Sequence, residues 1–96
     1  MSGYRLSRRA EDDVDGILEY SLLQWGEAKA DEYVAGLHAL FEEIALYPQR
    51  GLESLRLQPG LRRWLYQSHA VFYRKKKDEI LIVRVLHVRM DVPRHL

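Results

Sequence analysis

A chain of 96 residues, with 47% apolar and 30% charged side chains, fits one globular domain spanning 1–96 with a modest core. It has no cysteine, which excludes disulfides, thiolate metal sites and cysteine nucleophiles, and no apolar run approaches the length of a membrane span. The net charge of +1 conceals a division: residues 1–54 carry five basic and eleven acidic side chains, and residues 55–96 carry ten basic and three acidic. The basic half could attract nucleic acid or an acidic protein, or the two halves could attract each other. The opening "MSGYRLSRRAEDD" lacks the apolar segment of a secretory signal, so the cytoplasm is the expected location.

In chain order, "YRL" at 4–6 predicts a short strand, and Ser7 is a good N-cap for a helix beginning at residue 8. Ala10, Val14, Ile17, Leu18, Leu22 and Trp25 recur at helical spacing, predicting an amphipathic helix over 8–25 that Gly26 punctuates. Ala30, Tyr33, Val34, Leu37, Leu40, Phe41, Ile44 and Ala45 predict a second helix, ended by "YPQRG". "LESLRLQPG" over 52–60 reads as loop, closed by the Pro59-Gly60 turn signal. "LRRWLYQS", "HAVFYRKK" and "ILIVRVLH" are rich in aromatic and β-branched residues and predict three strands in a meander, the last two joined through "KKDE". The expected class is α+β, in the order β-α-α-β-β-β, with a helical hairpin packed on a small, mostly antiparallel sheet. The place of the first strand in that sheet is not set by the pattern.

Several side chains are candidates for chemistry. His87, Asp91 and His95 are spaced by four, as ligands on one helical face would be, but Pro93 disfavours a continuous helix through them. The alternative is a terminal segment whose Met90 and Leu96 cover an edge of the core. Arg84 lies inside an apolar strand and needs a carboxylate, such as Asp91 or a helix acid, or else an acidic ligand. Arg62, Trp64 and Tyr66 alternate on one strand face, which serves either single-stranded nucleic acid or packing under a helix. His69, His87 and Tyr73 supply acid–base groups of the kind that RNA cleavage uses, and nothing in their spacing shows whether they converge. "RKKK" at 74–77 reads as a solvated turn, and His38 as surface. No metal and no cofactor are expected.

The combination of "YRLSRRA" at 4–10, "ILEYSLLQWGEAKADEYVAGL" at 17–37, "YP" with a glycine at 51, "LRRW" at 61–64, "SHAVFYR" at 68–74 and "IVRVLHVRMDVPRHL" at 82–96 resembles the ParE family of bacterial toxins, within the RelE/ParE superfamily. The resemblance runs over nearly the whole chain. It implies a helical hairpin on a small antiparallel sheet and a toxin that inhibits DNA gyrase by binding. It also implies a cognate ParD-like ribbon-helix-helix antitoxin whose C-terminal segment wraps the toxin, with operator DNA reached only through that antitoxin. Under this reading Trp25, Tyr33, Leu37, Phe41, Trp64 and Arg63 are antitoxin-binding candidates, on a groove across the helical hairpin and the sheet edge. His87, Arg89, Met90, Arg74 and Arg62 are target-binding candidates, no residue is assigned to catalysis, and Arg84 with Asp91 is a candidate structural pair. The alternative is a ribosome-dependent mRNA interferase of the RelE type, or a diverged member without toxicity. The absence of a tyrosine after Tyr73 lowers the interferase reading, and His87 keeps it open.

Overall fold

The structure is a computed structural model that describes residues 3–54 and 56–96; Leu55, within the loop read over 52–60, lies outside them. The elements are β1 (Tyr4–Leu6), α1 (Arg8–Trp25), α2 (Glu27–Leu46), β2 (Leu52–Glu53), β3 (Arg62–Tyr66), β4 (His69–Lys75), β5 (Ile80–His87) and α3 (Val92–His95). This is the expected α+β order with two additions. β2 has too few residues to show a period of two. α3 is a single turn with Pro93 at its start, where a missing N–H removes no helical hydrogen bond.

Ser7 caps α1 by accepting the Ala10 N–H at 3.0 Å, and its hydroxyl donates to the Val83 carbonyl at 2.8 Å, so one side chain both starts the helix and ties it to the sheet. Gly26 adopts φ 88°, open to glycine at little cost, and there the chain reverses from α1 into α2.

Among the described residues the strands form one sheet in the order β1-β5-β4-β3-β2. β1 runs parallel to β5, with Tyr4 opposite Ile80 and Leu6 opposite Ile82. The other pairings are antiparallel. "KKDE" is the turn between β4 and β5, closed by a hydrogen bond of 2.7 Å from Lys76 N–H to the Glu79 carbonyl.

The helices cover one face of the sheet. Val14 and Ile17 of α1 and Leu37, Phe41 and Ile44 of α2 meet Val71, Tyr73 and Ile82 from the strands. Leu37 and Phe41 are fully buried there, which corrects their reading as antitoxin contacts: they face the sheet, and the stripe that formed the helix is the stripe the core consumes. Trp64 and Tyr66 pack against the rim of this core from β3. The other face carries a smaller cluster of Leu61, Ala70, Phe72 and Leu86, covered by Leu57 from the loop and by Val92 and Leu96 from the tail. The tail is therefore in part a cover. Leu96 does that work, whereas Met90 points elsewhere.

Candidate functional site

β1 accompanies β5 only from Ile80 to Ile82, so the next stretch of β5 has no strand on that side. α1 lies along it and Asp13 takes the strand's place. Its carboxylate accepts the Val85 backbone N–H at 2.9 Å and holds the Arg84 guanidinium through two bonds, 2.7 Å from Nε and 2.8 Å from Nη2. Arg84 also donates to the His95 carbonyl, and Arg9 reaches that same carbonyl at 3.1 Å. The hydrogen bond to Asp13 is the main reason that the pKa of Arg84 is pushed further up. The expected Arg84–Asp91 pair is thus corrected to Arg84–Asp13, a helix acid. Asp91 is exposed at the N-cap of α3, and Asp13 is the carboxylate that the α1–β5 packing places at the bare edge.

Beside this pair, α1 and the end of β5 enclose a cleft of about 580 Å³. Ile17, Tyr20 and Trp25 form its helical wall, His69 and His87 its sheet wall, and Met90 its outer lip. Tyr20 is 60% exposed, Trp25 50% and Met90 37%, so a partner would meet aromatic and thioether surface that the fold itself leaves bare. Tyr20 and Trp25 stack edge to face at 6.3 Å, and Trp25 continues onto Tyr33 at 6.1 Å.

His69 and His87 stand directly opposite each other on β4 and β5, with ring centroids 5.3 Å apart. Tyr33 Oη lies 2.6 Å from His69 Nδ1, and the Arg89 backbone N–H donates to His87 Nδ1 at 3.1 Å. Burial pushes the pKa of His69 below the ordinary histidine value; His87 adds to this, and Asp13 opposes it. Pro93 does not break the tail but sits in the first turn of α3, and the chain turns before it over residues 88–90; among the described residues no group of three histidine or acidic side chains is placed to hold a metal ion.

The candidate residues divide between two ends of the sheet. His87, Arg89 and Met90 gather at the cleft end, together with Trp25 and Tyr33. Arg62 and Arg74 lie at the other end: Arg62 donates to the Gly51 carbonyl at 2.6 Å, and Arg74 to the Pro59 carbonyl at 2.8 Å and to the Gln58 side chain. Tyr73 is at that end as well, its hydroxyl donating to the Pro48 carbonyl at 2.8 Å and accepting the Gly51 N–H at 2.9 Å. Its pKa is raised, first by burial. Arg63 is exposed on the opposite sheet face, beside a groove that it shares with Arg56 and Val92.

The sequence reading missed Asp13, Ile17 and Tyr20 as parts of the site. The signal for Asp13 was present: a carboxylate three residues after Ala10 and four before Ile17, bordering the buried stripe. Tyr20, by contrast, shares the exposed end of α1 with Leu22, Leu23 and Trp25, and nothing local sets it apart.

The family model for the ParE toxin of the type II toxin–antitoxin system parDE matches residues 4–92. The chain belongs to the ParE toxin family, the toxins of type II toxin–antitoxin systems. Among its relatives, Toxin ParE1 of Caulobacter vibrioides is 44% identical, with the alignment covering 100% of this chain and 99% of that one. Toxin ParE1 of Mycobacterium tuberculosis is 34% identical over 99% and 98% of the two chains, and Toxin ParE of Escherichia coli 33% over 96% and 90%. A chain in the structure of the chromosomal ParDE system from P. aeruginosa superposes with a TM-score of 0.79, covering 93% of this chain and 98% of that one. At 23% identity that likeness speaks for the ParE fold. No helix among the described residues is long and apolar enough to cross a membrane.

Proposed function

We propose that this ParE-family toxin inhibits DNA gyrase by binding, without catalysis of its own, and that a ParD-like antitoxin silences it by occupying the cleft between α1 and β5. The observation that carries this reading is that Trp25, an antitoxin candidate, and His87 and Met90, target candidates, line one cleft. An occupant there excludes another. An antitoxin segment that is disordered when free and lays an apolar face into the cleft would gain affinity from Trp25 and Met90, with the basic half of the chain steering acidic residues.

Cleavage of mRNA is the second reading, and the adjacent His69 and His87 favour it. Phosphodiester cleavage also needs cations at the phosphate. Arg62 and Arg74 are committed to carbonyls at the far end of the sheet, and Tyr73 is committed with them. Arg89 follows His87 closely in sequence, and its contact with His87 is through the backbone.

The test is to add the purified chain to a gyrase supercoiling reaction and to a translation system without gyrase. Blocked supercoiling with normal translation is expected. Codon-specific cleavage of message with supercoiling intact would overturn the proposal.

A further inference from the structure

A second groove, of about 610 Å³, opens on the sheet face away from the two long helices and shares no lining residue with the cleft. Its base is apolar. Phe72 of β4 is 1% exposed there, and Leu57 from the loop after β2 and Val92 from α3 pack half-buried against the same cluster. β2 has two residues and α3 four, so they cover that cluster without closing over it. Arg63 of β3 and Arg56 of the loop also line the groove, and both are exposed.

The charges of this groove are one-sided. Among the described residues Arg62 is matched by Glu53 at 3.3 Å and Arg84 by Asp13, whereas neither Arg56 nor Arg63 has an ion pair. Glu53 is the one carboxylate among the described residues that line the groove, and its pairing with Arg62 offsets its repulsion of another acid. Asp91, next to Val92 in the chain, does not line it. What remains is two guanidinium groups beside an aliphatic seam. A guanidinium holds a carboxylate through two parallel hydrogen bonds, and its charge does not titrate.

From this we infer that the groove is a docking site for an acidic protein segment, whose carboxylates meet Arg56 and Arg63 while an aliphatic side chain between them enters over Phe72.

Single-stranded nucleic acid would use the same cations but needs exposed rings on which its bases stack. The groove offers none: Phe72 is buried, and Trp64 and Tyr66 pack on the helical side of the sheet. A second copy of the chain would bring the exposed acids of α1, Glu11, Asp12, Asp15 and Glu19. That contact joins different surfaces head to tail, so assembly would grow with protein concentration. A separate acidic segment satisfies both arginines without either requirement.

The groove does not depend on gyrase inhibition, and the test uses the full-length free protein. The probe is a short, blocked synthetic peptide of repeated Glu-Glu-Leu, with its glutamine counterpart as control. Backbone amide resonances followed by NMR should shift saturably at Leu57, Phe72 and Val92. Affinity should fall as salt rises from ~10 mM to ~150 mM. It should fall about tenfold in R56A/R63A, the scale of two partly exposed ion pairs. Both side chains are exposed, so that variant should keep its melting temperature. R56K/R63K, which keeps the charges and loses the planar forks, should bind between the two. Absence of these shifts, or equal binding of the glutamine peptide, overturns the proposal. So do shifts at Trp25 and Met90 instead, tighter binding of a single-stranded oligothymidylate at the same residues, or shifts at Leu57 and Val92 that follow protein concentration without any peptide. Each of these results would leave gyrase inhibition untouched, and loss of gyrase inhibition as a reading would leave the groove standing.

Discussion

Replacing Asp13 with alanine strips Arg84 of its counter-ion and leaves the Val85 N–H without its acceptor. Both side chains are largely out of water, 9% exposed for Arg84 and 13% for Asp13, so solvent does little to screen the loss. Breaking a buried pair by removing one partner costs about 3–5 kcal/mol. In a domain of roughly this size each kcal/mol lowers Tm by about 4–8 °C, so D13A should melt at least about 12 °C below the parent. D13N keeps the shape and one acceptor oxygen but presents an amide to the guanidinium, and should recover only part of the loss. The double variant D13L/R84M removes both charges together and should be clearly more stable than D13A alone. Urea unfolding monitored by circular dichroism at neutral pH measures all three. A cost below about 1 kcal/mol for D13A, the scale of an exposed ion pair, would show that Asp13 does not act as the missing strand edge.

R89A/M90A should abolish growth inhibition and supercoiling inhibition while the melting temperature stays within about 3 °C, because both side chains are exposed; full toxicity would return the tail to being a packed terminus. G51A drives a methyl into the Tyr73 hydroxyl and should cost about 1–3 kcal/mol, with G51A/Y73F less than additive in a double-mutant cycle. W25A should weaken antitoxin binding in a titration by at least about tenfold with little change in stability, since half of the ring is exposed. The pKa of His69 lies below that of an unfolded histidine, so the unfolded chain takes up protons the folded chain refuses. That contribution is whole above about pH 6.5 and is lost as pH falls through the folded value, and H69Q should flatten unfolding free energy across that range.

The helices were legible because their apolar positions repeat faithfully and their ends carry caps: the limits 8–25 come from Ser7 and Gly26. The meander was legible for a similar reason, in the aromatic and β-branched runs broken by "KKDE". The place of β1 was not, because three residues carry no register and the parallel partner lies far along the chain. The site was less legible than the fold. Helical spacing marks Leu37 and Phe41 as apolar without saying whether a core or a partner covers them, and the sheet turned out to. The partner of Arg84 depended on how far β1 runs beside β5, a fact about strand length that no local pattern near Arg84 or Asp91 holds. His69 and His87 lie 18 positions apart in sequence, and only the register of the hairpin brings them face to face.

The position of β5 in the sheet bears on how the toxin is made. It lies between β1 and β4 in space, yet it comes after every other strand in the chain. A polypeptide that has emerged only as far as residue 79 lacks β5, the strand that pairs with β1, and Arg84, the arginine that pairs with Asp13. Contacts of such long range close only after most of the chain is free of the ribosome. The cleft takes one wall from β5 and its lip from the turn after it. A chain that halts before β5 therefore lacks the cleft proposed above as the binding surface.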